Sequence, residues 1–173
     1  GGMPAYLISV KYQNNLVKYV DLLLKFMGRP ANQLFICLLG FYIALLIFGV
    51  NPWLSIVGAI AFAFVSYNVI IIAAGHNSKV FAIAYMAPII AGIYLSYRGK
   101  ILLGAAITAL FLTLQLTANH LQITYYTLII VVVYGIVELV YTIKDKRYQQ
   151  FLKATGILII AAVLSVGSNF SSI

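Results

Sequence analysis

Two short polar clusters, at residues 75–79 and 119–122, interrupt long apolar runs and contain both histidines of the chain. Polar and charged side chains are costly in hydrocarbon, so each cluster has to lie at a water interface or in a polar cavity. We expect the two clusters to meet at one end of a helical bundle and to form one site. The candidate binding residues of this site are His76, Asn77, Lys79, Asn119, His120 and Gln122.

These residue types suit the binding of a phosphate. Lys79 offers a cation for a phosphate or pyrophosphate, and a histidine can donate a hydrogen bond to an anion or carry a proton. The alternative is a pair of solvated loops, with Lys79 extending its ammonium group to water at the membrane interface. The spacing alone leaves both interpretations open.

A metal site on His76 and His120 is less well supported by the sequence. No Asp, Glu or Cys accompanies them in the outer loops apart from Asp21, which lies far away along the chain. The sequence contains no Walker loop, dinucleotide fingerprint, serine nucleophile elbow or Cys-x-x-Cys pair. The single Cys37 excludes an intrachain disulfide. From the residues alone we assign neither a metal nor a catalytic residue.

The composition is that of a membrane protein. Hydrophobic residues make up 64% of the 173 positions, charged residues make up 8%, and the mean hydropathy is +1.04. A soluble domain does not have this composition, so the lipid bilayer is the first partner that we expect. The net charge of +8 comes from short loops and one end of the chain, which is a topology pattern and not that of a nucleic-acid-binding protein.

We predict an all-α, polytopic transmembrane helix bundle of about six spans, each of about 20 apolar residues. A turn near residues 119–120 is required by length, because residues 105–134 contain no Gly or Pro and one helix there would exceed the hydrocarbon core of about 30 Å. Pro88 predicts a kink. The predicted spans are residues 33–50, 54–74, 80–97, 101–117, 123–143 and 151–166.

Residues 14–27 predict an amphipathic helix in the plane of the membrane interface. Asn14, Lys18, Asp21 and Lys25 recur at helical spacing, and the last two form an i,i+4 pair. We expect this stripe to face water. The alternative is a solvated helix docked on another domain. The predicted organisation is an outer loop with this helix at residues 1–30, followed by the transmembrane bundle at residues 31–173.

Basic residues predict the orientation. The turns at residues 98–100 and 144–147 are basic, which places them on the cytoplasmic side by the positive-inside rule. The turn at residues 51–53 shares that side, so both polar clusters lie outside. The basic residues of the N-terminal segment oppose this orientation, unless they lie on the in-plane helix and meet lipid phosphates.

A further polar stripe runs through residues 113–127, where polar side chains recur at helical spacing. A stripe of this kind faces either neighbouring helices, through interhelical hydrogen bonds, or a cavity. Its members are Gln115, Asn119, Gln122 and Tyr126, beside Thr113, Thr117, His120, Thr124 and Thr127.

Three motifs give the chain a resemblance to the bacterial YfhO family of membrane proteins. They are Gly-Gly-Met-Pro at residues 1–4, Ala-Gly-His-Asn-Ser-Lys at residues 74–79 and Ala-Asn-His-Leu-Gln-Ile-Thr-Tyr-Tyr at residues 118–126. The resemblance extends over essentially the whole chain. The two histidine motifs are long and fairly specific, whereas the first motif is short.

That family is similar to the GT-C glycosyltransferases, which take a sugar from a polyprenyl-phosphate carrier and transfer it outside the cytoplasmic membrane. The resemblance therefore implies a GT-C-like fold in the bacterial cytoplasmic membrane, with the polar site on the extracytoplasmic side. It also implies two partners, a lipid-linked sugar donor and a cell-envelope glycan or polymer as acceptor.

One departure from the resemblance concerns catalysis. GT-C enzymes carry a catalytic Asp or Glu in the first outer loop, and this chain starts beyond that point. Its acids are Asp21, Glu138 and Asp145; the last two lie at the predicted cytoplasmic end, and Asp21 matches no catalytic motif. We therefore expect a fragment that is inactive by itself, with a divalent metal left open for the full-length protein. The rival classes are a transporter or channel fragment, with a midplane site and broken helices, and a structural membrane module.

Overall fold

The computed structural model of this protein describes residues 17–169. The motif at residues 1–4, Asn14 of the predicted stripe and the residues after Asn169 lie outside this part. The described residues form helices and turns, so the all-α prediction is confirmed for them. The helices are α1 Val17–Leu24, α2 Ala31–Ile47, α3 Pro52–Ala63, α4 Ser66–Ala73, α5 Asn77–Tyr97, α6 Ile101–Thr117, α7 Leu121–Asp145 and α8 Tyr148–Ser168.

Within the described residues, α5, α7 and α8 are long and apolar enough to cross a membrane, with 21, 25 and 21 residues. Helices α3 and α4 together pass the same test as one span bent by 45°. Helices α2 and α6 are apolar but have 17 residues each. In both α7 and α8 the apolar window is only 17% buried inside the protein. Apolar surface exposed on this scale fits a membrane protein.

Helix α5 is the centre of the bundle, and α2 lies along its whole length. Gln33 of α2 bonds to Asn77 at the start of α5. At the opposite end, the rings of Phe48 and Tyr94 make an edge contact at 5.2 Å. The two helices therefore run parallel, and they cover the same distance along the bundle axis.

The helix order and the contacts between α2 and α5 define two ends of the bundle. The histidine end contains residues 75–79 and the turn at residues 118–120, and the basic end contains residues 98–100 and 145–147. The contact between Phe48 and Tyr94 places the turn before α3 at the basic end. The structure thus groups the turns as the charge pattern predicts.

Close backbone approaches position α5 against both neighbours. A Cβ atom at Gly104 of α6 would lie 2.4 Å from the carbonyl oxygen of Gly92, so only glycine fits this crossing. A Cβ atom at Gly40 of α2 would lie 2.5 Å from the carbonyl oxygen of Ala84. The carbonyl of Ala84 lies four residues before Pro88 and receives no helical hydrogen bond from it, because proline has no N–H group. Helix α5 continues across Pro88.

The second predicted span, residues 54–74, is not one helix. Helix α3 ends at Ala63, Val65 is extended, and α4 begins at Ser66. The buried side chain of Asn68 donates a hydrogen bond to the carbonyl of Phe62 at 2.9 Å. The predicted span is therefore interrupted, because an Asn in an apolar run can bond the backbone locally and stabilise a break. Neither Gly nor Pro marks this position in the sequence.

Helix α1 is shorter than predicted, and its predicted charged pair faces the bundle instead of water. The predicted pair forms, with Lys25 Nζ 2.6 Å from Asp21 Oδ1, but the two side chains are only 24% and 20% exposed. Lys25 Nζ also lies 4.1 Å from the ring centre of Phe81. The expectation that these two residues face water is wrong, because they bond to each other and to the bundle. The exposed side chains are apolar or aromatic: Tyr19, Leu22, Leu23 and Phe26.

The turn that length requires lies between α6 and α7. Asn119 has a left-handed φ of 52°, a conformation that Asn adopts at helix ends more readily than most residues. The turn divides the polar stripe of residues 113–127. Gln115 is fully buried and donates to the carbonyl of Ala82 at 2.9 Å and to Thr127 Oγ1 at 3.0 Å. At Gln115 the stripe therefore makes interhelical hydrogen bonds.

Candidate anion-binding site

Residues 75–79 and His120 line one cavity of about 220 Å³ at the histidine end. The turn between α4 and α5 supplies the first set, and the turn between α6 and α7 supplies His120. The structure therefore brings both histidines to one cavity, as the sequence predicts. We call this space the histidine cavity.

The first wall of the cavity is a tight helix-to-helix turn. Gly75 has a φ of 77°, and the N–H group of His76 bonds back to the carbonyl of Ile71 at 2.9 Å. Helix α5 then begins at Asn77, and no side chain caps its first turn. Uncapped N–H groups and the helix dipole make such a terminus favourable for an anion.

Lys79 is the cation of the cavity. Its side chain is half-buried, and Nζ lies 5.1 Å from the ring centre of Tyr67, so the ring of α4 orients the ammonium group. The three acidic residues of the chain are engaged elsewhere, each with another cation. Within residues 17–169, Lys79 therefore has no carboxylate partner and its charge is available to a ligand.

The side chain of Asn77 is hydrogen-bonded to α2. Gln33 is 1% exposed, and its Nε2 group donates to Asn77 Oδ1. Asn77 Nδ2 makes no hydrogen bond to another described residue. The donor side of this amide is therefore the part left for a ligand in the cavity.

His120 is half-buried at the beginning of α7. Its Nδ1 atom is buried and has no hydrogen-bond partner among the described residues. An unpartnered buried polar atom costs about 1–3 kcal/mol. His120 thus contributes a buried atom with an unmet hydrogen bond, whereas His76 is exposed.

The structure does not bring Asn119 and Gln122 to the cavity. Asn119 is exposed and ends α6 through its left-handed backbone. Gln122 is exposed and donates to the hydroxyl of Tyr126 at 2.8 Å. Four of the six predicted residues line the cavity, and these two lie outside it.

Sequence reasoning missed two residues of this region: Tyr67 lies against Lys79, and Gln33 bonds to Asn77. Ser78, within the first polar cluster, also lines the cavity. A signal for Gln33 existed, because Asn32 and Gln33 form a polar pair at the start of an apolar run, as the histidine clusters do. Tyr67 carries no comparable signal.

The chemistry of the cavity is that of anion binding. It offers a lysine, an amide, a hydroxyl, two imidazoles and a helix N-terminus, and no carboxylate lines it. Among residues 17–169, no group of three or more His, Cys, Asp or Glu could hold a metal ion. Among the described residues that line the cavity, the imidazoles of His76 and His120 could carry a proton.

No protein-family model, curated protein or solved structure matches this chain. The functional interpretation therefore depends on the geometry of the histidine cavity and on its position at the end of the apolar helices.

Proposed function

We propose that the histidine cavity binds the phosphate of a lipid-linked sugar. In this proposal the chain is the membrane-embedded part of a GT-C-type glycosyltransferase, which moves a sugar from a polyprenyl-phosphate carrier to an extracytoplasmic cell-envelope acceptor. The observation that carries the proposal is the convergence of Lys79, His76 and His120 on one cavity at the end of the bundle.

The position of the cavity favours a lipid-borne phosphate. A polyprenyl carrier keeps its tail in hydrocarbon and its phosphate at the interface, so its site has to lie where apolar helices end. Transfer of the sugar leaves negative charge on the carrier phosphate, and a fixed cation with hydrogen-bond donors stabilises that charge. Lys79 and the donors around it suit this task.

The proposal includes six membrane crossings. Helix α2 has 17 residues and so a length of about 26 Å. This is at the lower limit for a span. Its contacts with both ends of α5 support a crossing, and α6 has the same length as α2. The positive-inside rule then makes the histidine end extracytoplasmic.

The base for the acceptor hydroxyl has to come from elsewhere. Asp21, Glu138 and Asp145 bond to Lys25, Arg98 and Arg147, and none lines the cavity. In this proposal a longer protein supplies the carboxylate and any divalent metal, so this chain alone is inactive.

Lys79 provides the test. In the full-length protein, Lys79→Ala should reduce polyprenyl-phosphate binding and sugar transfer by about 10- to 150-fold, the equivalent of a charged hydrogen bond of about 1.5–3 kcal/mol. Lys79→Arg should rescue only partly, since it keeps the charge but changes its reach. Lys100→Ala, at the basic end, is the matched control. Wild-type transfer by Lys79→Ala at equal expression would refute the proposal.

A transporter is the second candidate, and the break between α3 and α4 favours it. The carbonyl of Phe62 beside the break is already bonded by Asn68, and Phe64 and Val65 are exposed on the outside of the bundle. The carbonyl of Phe62 is therefore not free to coordinate a solute. Solute flux across vesicles that does not change in Lys79→Ala would favour the transporter.

A further inference from the structure

The basic end contains a second cavity, of about 900 Å³, between the turns that join α5 to α6 and α7 to α8. Four cations line it: Arg98 from the first turn, Lys146 and Arg147 from the second, and Lys153 from α8. We call it the basic cavity. It lies at the opposite end of the bundle from the histidine cavity and is independent of the function proposed for that site.

The walls of the basic cavity are tied together by contacts between the two turns. Gln150 donates to the carbonyl of Tyr97 at 2.8 Å, and Arg98 bonds to the buried carboxylate of Glu138 at 3.0 Å. These contacts hold the cations near one another without a ligand. The backbone positions that carry these cations are therefore set by the fold.

The charges of the basic cavity are only partly compensated. Glu138 bonds to Arg98, and Asp145 bonds to Arg147 at 2.7 Å. Lys146 and Lys153 have no carboxylate partner among residues 17–169. In addition, no side chain caps the first turn of α8, whose residues 148–150 line the cavity. Two unpaired ammonium groups beside an uncapped helix N-terminus suit a phosphate group.

The surroundings of the basic cavity indicate that the phosphate belongs to a lipid. Tyr148 is exposed at its edge, and tyrosines are enriched at the headgroup level of membranes. Next to Lys153, an exposed apolar face of α8 leads away along the bundle through Leu152, Ile159 and Val163. A phospholipid with its headgroup in the cavity would place its acyl chains along this face.

We propose that the basic cavity binds the headgroup phosphate of an anionic phospholipid. Lys146 and Lys153 contact the phosphate, the N-terminus of α8 adds N–H donors, and the exposed face of α8 receives the acyl chains. Basic pockets between transmembrane helices are a known means of binding anionic headgroups. The bound lipid would join the α7–α8 turn to α8 through the charges of Lys146 and Lys153.

The test uses the purified intact protein in neutral detergent, titrated with phosphatidylglycerol or with phosphatidylcholine of the same acyl chains, and counts bound lipid by native mass spectrometry. We expect phosphatidylglycerol to be retained in preference to phosphatidylcholine. Lys146→Gln with Lys153→Gln should weaken phosphatidylglycerol binding by about 30-fold, the effect of two lysines at a membrane surface. Lys146→Arg with Lys153→Arg should retain binding, because the charge remains.

The matched control is Lys100→Gln with Lys144→Gln, which removes the same charge from exposed lysines at the same end that do not line the cavity. This control should change binding by less than about threefold. Equal losses in the two Gln pairs would overturn the proposal, since they would show only a diffuse attraction between charges. Displacement of phosphatidylglycerol by millimolar inorganic phosphate would also overturn it and would indicate a site for soluble phosphate.

Discussion

The side-chain amide of Gln33 donates a hydrogen bond to Oδ1 of Asn77, and this bond joins the first turns of α2 and α5 beside the histidine cavity. Gln33 is 44 residues away in sequence, is almost fully buried and does not line the cavity itself. The position of Asn77, and through the same helical turn that of Lys79, therefore depends on how α2 packs.

Gln33→Leu should destabilise the protein by about 1–3 kcal/mol, because Asn77 Oδ1 is left without its donor in a half-buried position. It should also weaken phosphate binding without removing any group that lines the cavity. Unfolding in detergent and hydrogen exchange at residues 75–79 measure the two effects. The matched control, Gln122→Leu, affects an exposed hydrogen bond at the same end and should change stability by less than about 0.5 kcal/mol. Equal effects of the two variants would contradict a positioning role for Gln33.

The sequence predicts the parts of this fold that depend on apolar length and on charge. Both turns at the histidine end follow from these rules, since the chain has to reverse between apolar runs of limited length. The grouping of the basic turns at one end follows from the distribution of Lys and Arg. These features need no knowledge of which helices are neighbours.

The features that the sequence does not predict depend on such neighbours. Asn68 breaks a span because it bonds a backbone carbonyl six residues earlier, and hydropathy does not detect this bond. Asp21 and Lys25 face the bundle because Phe81 of α5 is present to receive the ammonium group. Periodicity identifies the stripe of α1 but not the surface that it meets.

Gly104→Ala should destabilise the bundle by about 1–3 kcal/mol, because the new methyl group would meet backbone atoms of Gly92 and Ser96 that cannot move independently of α5. Gly135→Ala is the matched control, since a Cβ atom there meets nothing within 4 Å. That variant should be neutral or more stable by up to about 1 kcal/mol. Unfolding by a denaturing detergent measures the stability of both variants. Equal stability of Gly104→Ala and Gly135→Ala would contradict the close crossing of α5 and α6.

Asn68→Leu should reduce the 45° bend between α3 and α4, because the carbonyl of Phe62 would lose its side-chain donor. The cost of leaving that carbonyl unpaired favours recovery of a continuous helix. The distance between spin labels at the exposed positions Leu54 and Ala73 measures the bend. Ser66→Ala, in the same turn but exposed, should leave the distance unchanged. A distance that does not change in Asn68→Leu would show that packing, and not this bond, sets the bend.

The ion pair of Arg98 and Glu138 should respond asymmetrically to mutation. The Glu138 side chain is 4% exposed, whereas that of Arg98 is 41% exposed, so only Arg98 can reach water when its partner is lost. Arg98→Ala should therefore cost about 3 kcal/mol and Glu138→Gln should cost less. Arg147→Ala, which breaks an exposed pair, should cost less than about 1 kcal/mol. Thermal unfolding ranks the stabilities of the three variants. A larger loss of stability in Glu138→Gln than in Arg98→Ala would contradict this account.

The orientation of the bundle can be tested with one cysteine at each end. Ser78 is exposed at the histidine cavity and Lys100 is exposed at the basic end, and Lys100 is preferred over Gly99 because the φ of 97° at Gly99 would strain a cysteine. The single native Cys37 is fully buried and can be replaced by serine to give a clean background.

In intact cells, a membrane-impermeant maleimide should label Ser78→Cys and should label Lys100→Cys only after permeabilisation, because basic turns remain in the cytoplasm. Labelling of both positions from one side would contradict a bundle whose two ends lie on opposite faces of the membrane. Labelling of Lys100→Cys alone from outside would place the histidine cavity in the cytoplasm. Lys79 could not then meet a carrier phosphate on the extracytoplasmic side, and the proposed glycosyl transfer outside the membrane would be excluded.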